Sequence, residues 1–366
     1  MIRIFALIFF CFSSIVFAKD TVPQSEIEIK LSFVPLVKQA APAVVNIYAQ
    51  RIIEERRSPF TRDPFFRDFF RNFGQLQPRV QNSLGSGVIL SADGYVVSNY
   101  HVVGGATDIR VVLHDGREIS GDIILSDEDS DLAVLKINID EMLPHLDLRK
   151  SDTVEVGELV LAIGNPFGVG QTVTNGIISG LARTGIASGS AKGYFLQTDA
   201  PINPGNSGGA LIDISGSLVG VNTSILSRSG GSNGIGFAIP ADLVGQFLVQ
   251  AKEGRSSFIR PWAGMRGQPI TFEMAASLNL PAMSGMIISE LHELSPFLKV
   301  GIGVGDIITK VDGLDINSPA EMLYRMSVAG IGTKVDISYL SKGITRTKKV
   351  GLVEMPNSNV EDIVLG

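Results

Sequence analysis

Short apolar runs separated by turn residues dominate the chain between residues 84 and 240. The runs are three to seven residues long, and dipeptides such as Asp93-Gly94, Asp115-Gly116 and Ser215-Gly216 stand between them. Runs of this length between turns predict β-strands, and many short strands in succession indicate a sandwich or a barrel. The predicted strands are Gly87–Leu90, Tyr95–Ser98, Ile109–Leu113, Ile119–Leu125, Leu132–Ile137, Leu159–Ile163, Thr172–Ile178, Tyr194–Thr198, Ala210–Ile212, Leu218–Asn222 and Ile235–Ile239.

Helical spacing of apolar residues appears on both sides of these strands. Ser25–Ala40 predicts a short helix that leads into a strand at Val44–Gln50, and Pro240–Glu253 predicts a closing helix with Gly254 after its end. Residues 25–254 are therefore expected to form one domain.

A second unit is expected over residues 258–353, followed by a polar tail over 354–366. Its one helix and four strands are predicted at Gly285–Ile288, Asp306–Val311, Ser318–Val328, Val335–Leu340 and Thr345–Val353, of which Ser318–Val328 is the helix.

The N-terminus has the pattern of an export signal. Arg3 precedes an apolar run from Ile4 to Phe17, and small residues reach Ala18 at a cleavage-like spacing. The run is shorter than the roughly 20 residues of a spanning helix, so we predict a cleaved signal over 1–18, with a retained membrane anchor as the alternative. The only cysteine, Cys11, lies inside this segment, so the mature chain has neither disulfide nor thiol nucleophile.

Composition narrows the classes of partner. The chain is 45% hydrophobic and carries a net charge of −6, which predicts ordinary globular cores and argues against a nucleic-acid partner. Residues 54–82 interrupt the strand pattern with six phenylalanines interleaved with arginines. A connection of this length is typical of a functional loop or of disorder, and phenylalanine beside arginine also suits a membrane surface.

The segment Pro204–Gly209, with the sequence PGNSGG, is the sharpest chemical signal. A serine hydroxyl needs a neighbouring base and an oxyanion site, and glycines let the backbone turn tightly around it. We predict Ser207 as a nucleophile, and we predict that the Gly205 and Ser207 amides form an oxyanion hole in the segment Gly205, Asn206 and Ser207. Taken alone, the segment could equally be a glycine-rich turn.

A base and an orienting carboxylate are needed beside such a serine. His101 follows a strand-like run and is the candidate base, whereas His114 has the sequence context of a turn residue. Asp131 precedes the apolar run Leu132–Ile137 and is the candidate carboxylate. A calcium loop around Asp131 is excluded because Leu132 stands where that loop requires glycine. His101, Asp131 and Ser207 occur in the chain order of chymotrypsin-type barrels, and we predict no metal and no cofactor.

Several segments together resemble the HtrA/Deg family of serine proteases. The segments that carry the resemblance are 85–89 (GSGVI), 98–103 (SNYHVV), 131–136 (DLAVLK), 164–168 (GNPFG), 205–209 (GNSGG) and 234–240 (GIGFAIP). The resemblance implies an all-β chymotrypsin-like double β-barrel protease domain followed by a small α+β PDZ domain. It further implies a triad of His101, Asp131 and Ser207, a periplasmic location and a homotrimer or a multiple of trimers.

The resemblance also assigns roles to loops and pockets. The floor of the primary pocket is expected at Pro201, six residues before Ser207. No carboxylate stands there, and with Ile202 and Ile225 lining the pocket we predict cleavage after small or medium apolar residues. Residues 54–82 would be the family's long regulatory loop, and Arg183–Gly193 a loop that senses the PDZ domain.

The PDZ domain is expected to bind C-terminal peptides by strand addition. Their carboxylate would lie at Trp262, Ala263, Gly264 and Met265, although the family usually has a larger apolar residue at position 263. The leading hypothesis is an ATP-independent endopeptidase for unfolded or misfolded exported proteins, since the sequence holds no P-loop. A chaperone-like binding module and a site-specific regulatory protease remain the alternatives.

Overall fold

The computed structural model describes residues 32–52, 80–165, 170–184, 193–203, 205–225, 232–278, 280 and 284–356. The predicted signal over 1–18, nearly all of the 54–82 insert, most of the loop Arg183–Gly193 and the end of the tail lie outside the described residues. Among the described residues, no helix combines the length and the apolar character that a membrane crossing requires.

The first barrel closes six antiparallel strands in the order β1-β2-β3-β6-β5-β4. Its strands are β1 Val44–Ile52, β2 Val80–Ile89, β3 Tyr95–Ser98, β4 Asp108–Val112, β5 Glu118–Asp127 and β6 Leu132–Ile137. Helix α1 (Val34–Ala40) precedes the barrel, and a short helix α2 (Tyr100–Val103) follows β3. Exposed and buried residues alternate along β4, as expected for a strand with one face toward solvent. β6 is buried along nearly its whole length.

The second barrel also closes six antiparallel strands, in the order β10-β11-β12-β9-β8-β7. Its strands are β7 Leu159–Gly164, β8 Thr172–Thr184, β9 Tyr194–Thr198, β10 Ala210–Asp213, β11 Leu218–Ile225 and β12 Gly236–Pro240. Helix α3 (Ala241–Lys252) follows β12 and buries Leu243, Val244 and Phe247 in a core shared by strands of both barrels.

The remaining residues form a separate sheet with its own core. Strands β13 Met265–Pro269, β14 Met286–Leu291, β15 Ile307–Val311, β17 Lys334–Ser341 and β18 Ile344–Gly351 lie in that order, and β16 Leu314–Asp315 pairs with β15. Helices α4 (Phe272–Ser277), α5 (Pro296–Lys299) and α6 (Pro319–Ala329) connect the strands. Each is capped at its N-terminus by a hydroxyl, from Thr271, Ser295 and Ser318 respectively.

The predicted fold class is confirmed: two chymotrypsin-like barrels precede a small α+β domain. The pattern missed β13, α4 and α5, and it also missed α2, so His101 lies on a short helix after β3 and not at the end of the strand.

Candidate active site

His101 lies on α2, where its ring meets the carboxylate of Asp131. Nδ1 lies 2.8 Å from Oδ2 and 2.9 Å from Oδ1 of Asp131, and the backbone N–H of His101 donates to Oδ1 at 3.0 Å. A carboxylate facing Nδ1 favours the tautomer in which Nδ1 carries the proton. Nε2 is then the basic nitrogen of the ring.

The backbone at Asp131 is unusual. Its φ of 53° lies in the left-handed region, which aspartate tolerates better than most residues. The Asp131 amide donates to the Glu128 carbonyl at 3.1 Å, and the Asp131 carbonyl accepts from Nδ2 of Asn99 at 3.0 Å. This tight turn between β5 and β6 directs the carboxylate toward α2.

Ser207 lies in a glycine-rich turn between the two barrels. The turn uses positive φ at Gly205 (93°) and Gly208 (82°), and the Ser207 carbonyl accepts from the backbone N–H of Ser86 at 2.8 Å. The Ser207 hydroxyl donates to the carbonyl of Thr223 at 3.0 Å. A hydroxyl has one proton, so it must rotate away from Thr223 before it can donate to an imidazole.

The amides of the turn divide into two groups. Those of Asn206, Gly208 and Gly209 donate to carbonyls of Asn203, Asn222 and Asn206 respectively. Within the part of the chain that the structure describes, the Gly205 and Ser207 amides have no acceptor. The Asn206 amide is thus engaged, and the amides of Gly205 and Ser207 are the candidate oxyanion donors.

Thr223 is a site residue that the sequence reasoning missed. It is 3% exposed, its Oγ1 donates to Oδ2 of Asp131 at 2.5 Å, and its carbonyl accepts the Ser207 hydroxyl. One residue on β11 therefore contacts both the carboxylate and the serine. No sequence signal separates Thr223 from other threonines at strand positions.

The predicted pocket residues differ in burial. Ile202 is buried beside Gly236 of β12, where an added Cβ would lie 2.8 Å from Ile202 Cδ1. Pro201 is exposed, and its carbonyl accepts from the Thr174 hydroxyl at 2.8 Å. The side chain of Ile225 lies outside the described residues. The two predicted pocket residues whose side chains the structure describes, Pro201 and Ile202, are thus both apolar.

The predicted carboxylate loop leads into β13. Trp262 and Met265 are buried, the Trp262 amide donates to Val353 at 2.8 Å, and Gly264 has a φ of 61°. The carbonyls of Ala263 and Gly264 accept from Ser295 Oγ at 2.7 Å and the His292 amide at 2.8 Å. Both carbonyls point into the domain, as a loop that offers its amides to an anion would require.

Comparison with known proteins gives the same two units. A family model for the trypsin-like peptidase domain matches residues 85–221, and one for the PDZ domain matches residues 267–352. The chain is 39% identical to "Periplasmic pH-dependent serine endoprotease DegQ" of Escherichia coli K12, over 85% of this chain and 68% of that protein. It is also 39% identical to "Probable periplasmic serine protease do/HhoA-like" of Haemophilus influenzae, over 92% of this chain and 74% of that protein.

A solved structure covers both units as well. "HtrA-type protease AlgW with decapeptide" is 40% identical and superposes with a TM-score of 0.63, over 89% of this chain and 99% of the other. Two six-stranded barrels and a following PDZ domain, with these relatives, define a trypsin-like serine endopeptidase. More narrowly, the chain belongs to the HtrA/Deg family.

Proposed function

We propose that His101, Asp131 and Ser207 are the catalytic triad of an exported, ATP-independent endopeptidase that acts on unfolded or misfolded proteins in the cell envelope. The observation that carries the proposal is the 2.8 Å contact between His101 Nδ1 and the Asp131 carboxylate, which Thr223 joins to Ser207. These contacts bring together residues on α2, in the turn before β6, on β11 and in the turn before β10.

The geometry supports the usual two-step acyl transfer. Ser207 Oγ attacks the scissile carbonyl while its proton moves to His101 Nε2, and the tetrahedral oxyanion is held by the amides of Gly205 and Ser207. His101 then gives that proton to the leaving amine, and water repeats the sequence on the acyl-enzyme. The Asp131 carboxylate orients the ring and stabilises the imidazolium.

The predicted pocket residues and the second domain support a proposal for substrate choice. The buried side chain of Ile202 and the absence of a carboxylate at Pro201 support cleavage after small or medium apolar residues such as Val or Ala. The PDZ domain supports regulation by C-terminal peptides bound along β13. The names of the relatives support a periplasmic location, with residues 1–18 as the signal.

Degradation of unfolded casein without nucleotide tests the activity. We expect Ser207→Ala to lower turnover by at least about 10³-fold, because the variant lacks the hydroxyl proposed to form the acyl-enzyme. Ser256→Ala, which removes an exposed hydroxyl outside both barrels, is the matched control and should retain turnover.

Two further readouts belong to the same assay. A fluorophosphonate probe should label Ser207 and no other serine, and mass spectrometry of the casein fragments should show cuts after small apolar residues. Equal turnover by wild type and Ser207→Ala would refute the endopeptidase mechanism, whereas cuts mainly after Lys or Arg would refute only the specificity.

A further inference from the structure

Three buried asparagines lie on chain segments that meet at Ser86, at the junction of the two barrels. Ser86 is fully buried, and its hydroxyl donates to the Gly205 carbonyl at 2.5 Å and accepts from the backbone N–H of Asn165 at 2.8 Å. Asn46 lies directly opposite Ser86 in the β1–β2 register, so their side chains share one face of the sheet. Asn206 follows Gly205 in the chain.

Several side-chain amide atoms of these asparagines have no hydrogen-bond partner among the described residues. Within the described residues, no hydrogen-bond partner is found for Nδ2 or Oδ1 of Asn46, for either amide atom of Asn206, or for Oδ1 of Asn165. Asn46 and Asn206 are 0% and 1% exposed. Buried polar side chains are nearly always bonded, so five unmatched atoms beside one serine need an explanation.

Other buried asparagines near the active site behave differently. Nδ2 of Asn99 donates to the Asp131 carbonyl, and Nδ2 of Asn222 donates to the Ala210 carbonyl, each at 3.0 Å. Nδ2 of each of these amides thus has a backbone acceptor and only Oδ1 has no partner among the described residues, whereas Asn46 and Asn206 have no partner at either end. The two asparagines without a partner at either end both lie at the barrel junction.

A glycine, Gly164, lies directly against the side chain of Asn206. An ideal Cβ on Gly164 would lie 2.7 Å from Asn206 Cα and 2.9 Å from its Cγ, so only glycine fits at the end of β7. Gly164 belongs to the second barrel and Ser86 to the first. The amide is thus held between the barrels, beside the turn that carries Ser207.

We propose that Asn46, Asn165 and Asn206 form a site for buried water that positions the Gly205–Ser207 turn. Both donors and acceptors are unmatched, which fits water, since a cation would require oxygens alone and an anion would require donors alone. Buried waters in proteins typically make about three hydrogen bonds to such groups. The inference rests on the proposed function, because it assigns the water to the support of the proposed oxyanion hole.

The expected consequence is kinetic. Oxyanion donors act only when they lie at about 2.7–3.1 Å from the developing charge. Asn46 does not contact substrate, so we assign it as a positioning residue that acts through water on the turn. Loss of that support should lower kcat and leave KM nearly unchanged, because the hole binds the transition state and not the ground state.

The matched variants Asn46→Val and Asn46→Thr test this role. They have nearly the same shape on a strand, but only threonine keeps a group that can bond to water. We expect Asn46→Val to lower kcat on a peptide substrate at least tenfold with KM within twofold, and Asn46→Thr to stay within threefold of wild type. Gln250→Leu, which removes a buried amide that bonds to the backbone of Ile259, controls for stability and should leave kcat unchanged.

A high-resolution crystal structure of the wild type gives a readout that needs no variant. Water density bonded to Asn46 and Asn206 supports the proposal, whereas direct bonds between the amides with no water overturn it. Wild-type kcat in Asn46→Val, or an equal loss of kcat in both variants, also overturns it. If wild type and Ser207→Ala degrade casein equally, the proposed function fails, and the crystal structure still decides whether the water site exists.

Discussion

At the scale of single residues, Thr223 shows how one side chain can order two catalytic partners. Its hydroxyl supplies a hydrogen bond to the Asp131 carboxylate, and its carbonyl holds the Ser207 hydroxyl. A partly buried carboxylate that accepts hydrogen bonds from both an imidazole and a hydroxyl keeps its orientation. The Thr223 hydroxyl therefore acts on the base only through Asp131.

Thr223→Val should lower kcat by about 10- to 100-fold, since a hydrogen bond to a charged group contributes about 1.5–3 kcal/mol. KM should change little because the hydroxyl does not face substrate. Steady-state kinetics on a peptide substrate measures both constants, and Thr223→Ser should restore most of the rate. A kcat within twofold of wild type in Thr223→Val would show that the Asp131 carboxylate is held without this bond.

The sequence could predict residues whose proposed catalytic role only a few residue types can fill. His101, Asp131 and Ser207 stand in a recognisable order among glycines and strand ends, and the structure brings the first two into contact. Thr223 and Asn46 could not be predicted, because an uncharged residue on a strand acquires its role only from neighbours across the barrels.

At the scale of elements, strand prediction succeeded where runs were apolar and bounded by turns. β3, β6 and β9 have the predicted bounds, since each run ends at a polar or glycine-containing turn. β13 was missed because its sequence, MRGQP, contains glycine and proline and no β-branched residue. The four-residue helix α2 is too short to show a helical period.

The N-terminus of α3 makes a contact that no local pattern predicts. The Ser151 amide donates to Oδ2 of Asp242 at 2.8 Å, and the Asp242 amide donates to Oγ of Ser151 at 3.1 Å. Burial raises the pKa of the Asp242 carboxyl above its ordinary value, the negative charge of Asp152 adds to the rise, and the bonds to Ser151 oppose it. The folded chain thus binds the Asp242 proton more tightly than the unfolded chain does.

Asp242→Asn should change how stability depends on pH. In wild type, this group stabilises the fold below its unfolded pKa of 3.8, and the contribution is lost as pH rises through the higher folded pKa. The asparagine variant lacks this loss, so its stability relative to wild type should increase between about pH 3.5 and pH 7. Chemical denaturation across this range measures the difference, with the exposed Asp140→Asn as the control for charge. A difference that is constant with pH, or that decreases, would contradict the assignment.

At the scale of the whole molecule, the PDZ domain is joined to the barrels by side chains as well as by the chain. Arg260, just before the PDZ sheet, pairs with Asp127 and donates to Ser130 in the turn that carries Asp131. Tyr324 on α6 stacks on Tyr194 of β9, with ring centroids 4.0 Å apart and planes at 5°. These contacts join residues more than 100 positions apart, so periodicity and motifs could not predict them.

The face of α6 that meets the barrels is built around this stacked pair. The Arg325 guanidinium carbon lies 5.6 Å from the Tyr324 ring centroid and 5.8 Å from that of Tyr194, and Arg325 also pairs with Asp152. Burial raises the pKa of Tyr324, so its ring stays neutral between the domains. An aromatic pair of this kind contributes about 0.5–1.5 kcal/mol beyond the area that it buries.

Tyr324→Ala should therefore release the PDZ domain from the barrels without unfolding either unit. In a Ser207→Ala background, which prevents self-cleavage, we expect added trypsin to cut after Arg255 at least about fivefold faster, because the connection opens more often. Phe272→Ala removes an aromatic ring that is 73% exposed on the same domain and should leave the cleavage rate unchanged. Cleavage at the parent rate in Tyr324→Ala would show that the Arg260 contacts with Asp127 and Ser130 hold the domains together without the stacked rings.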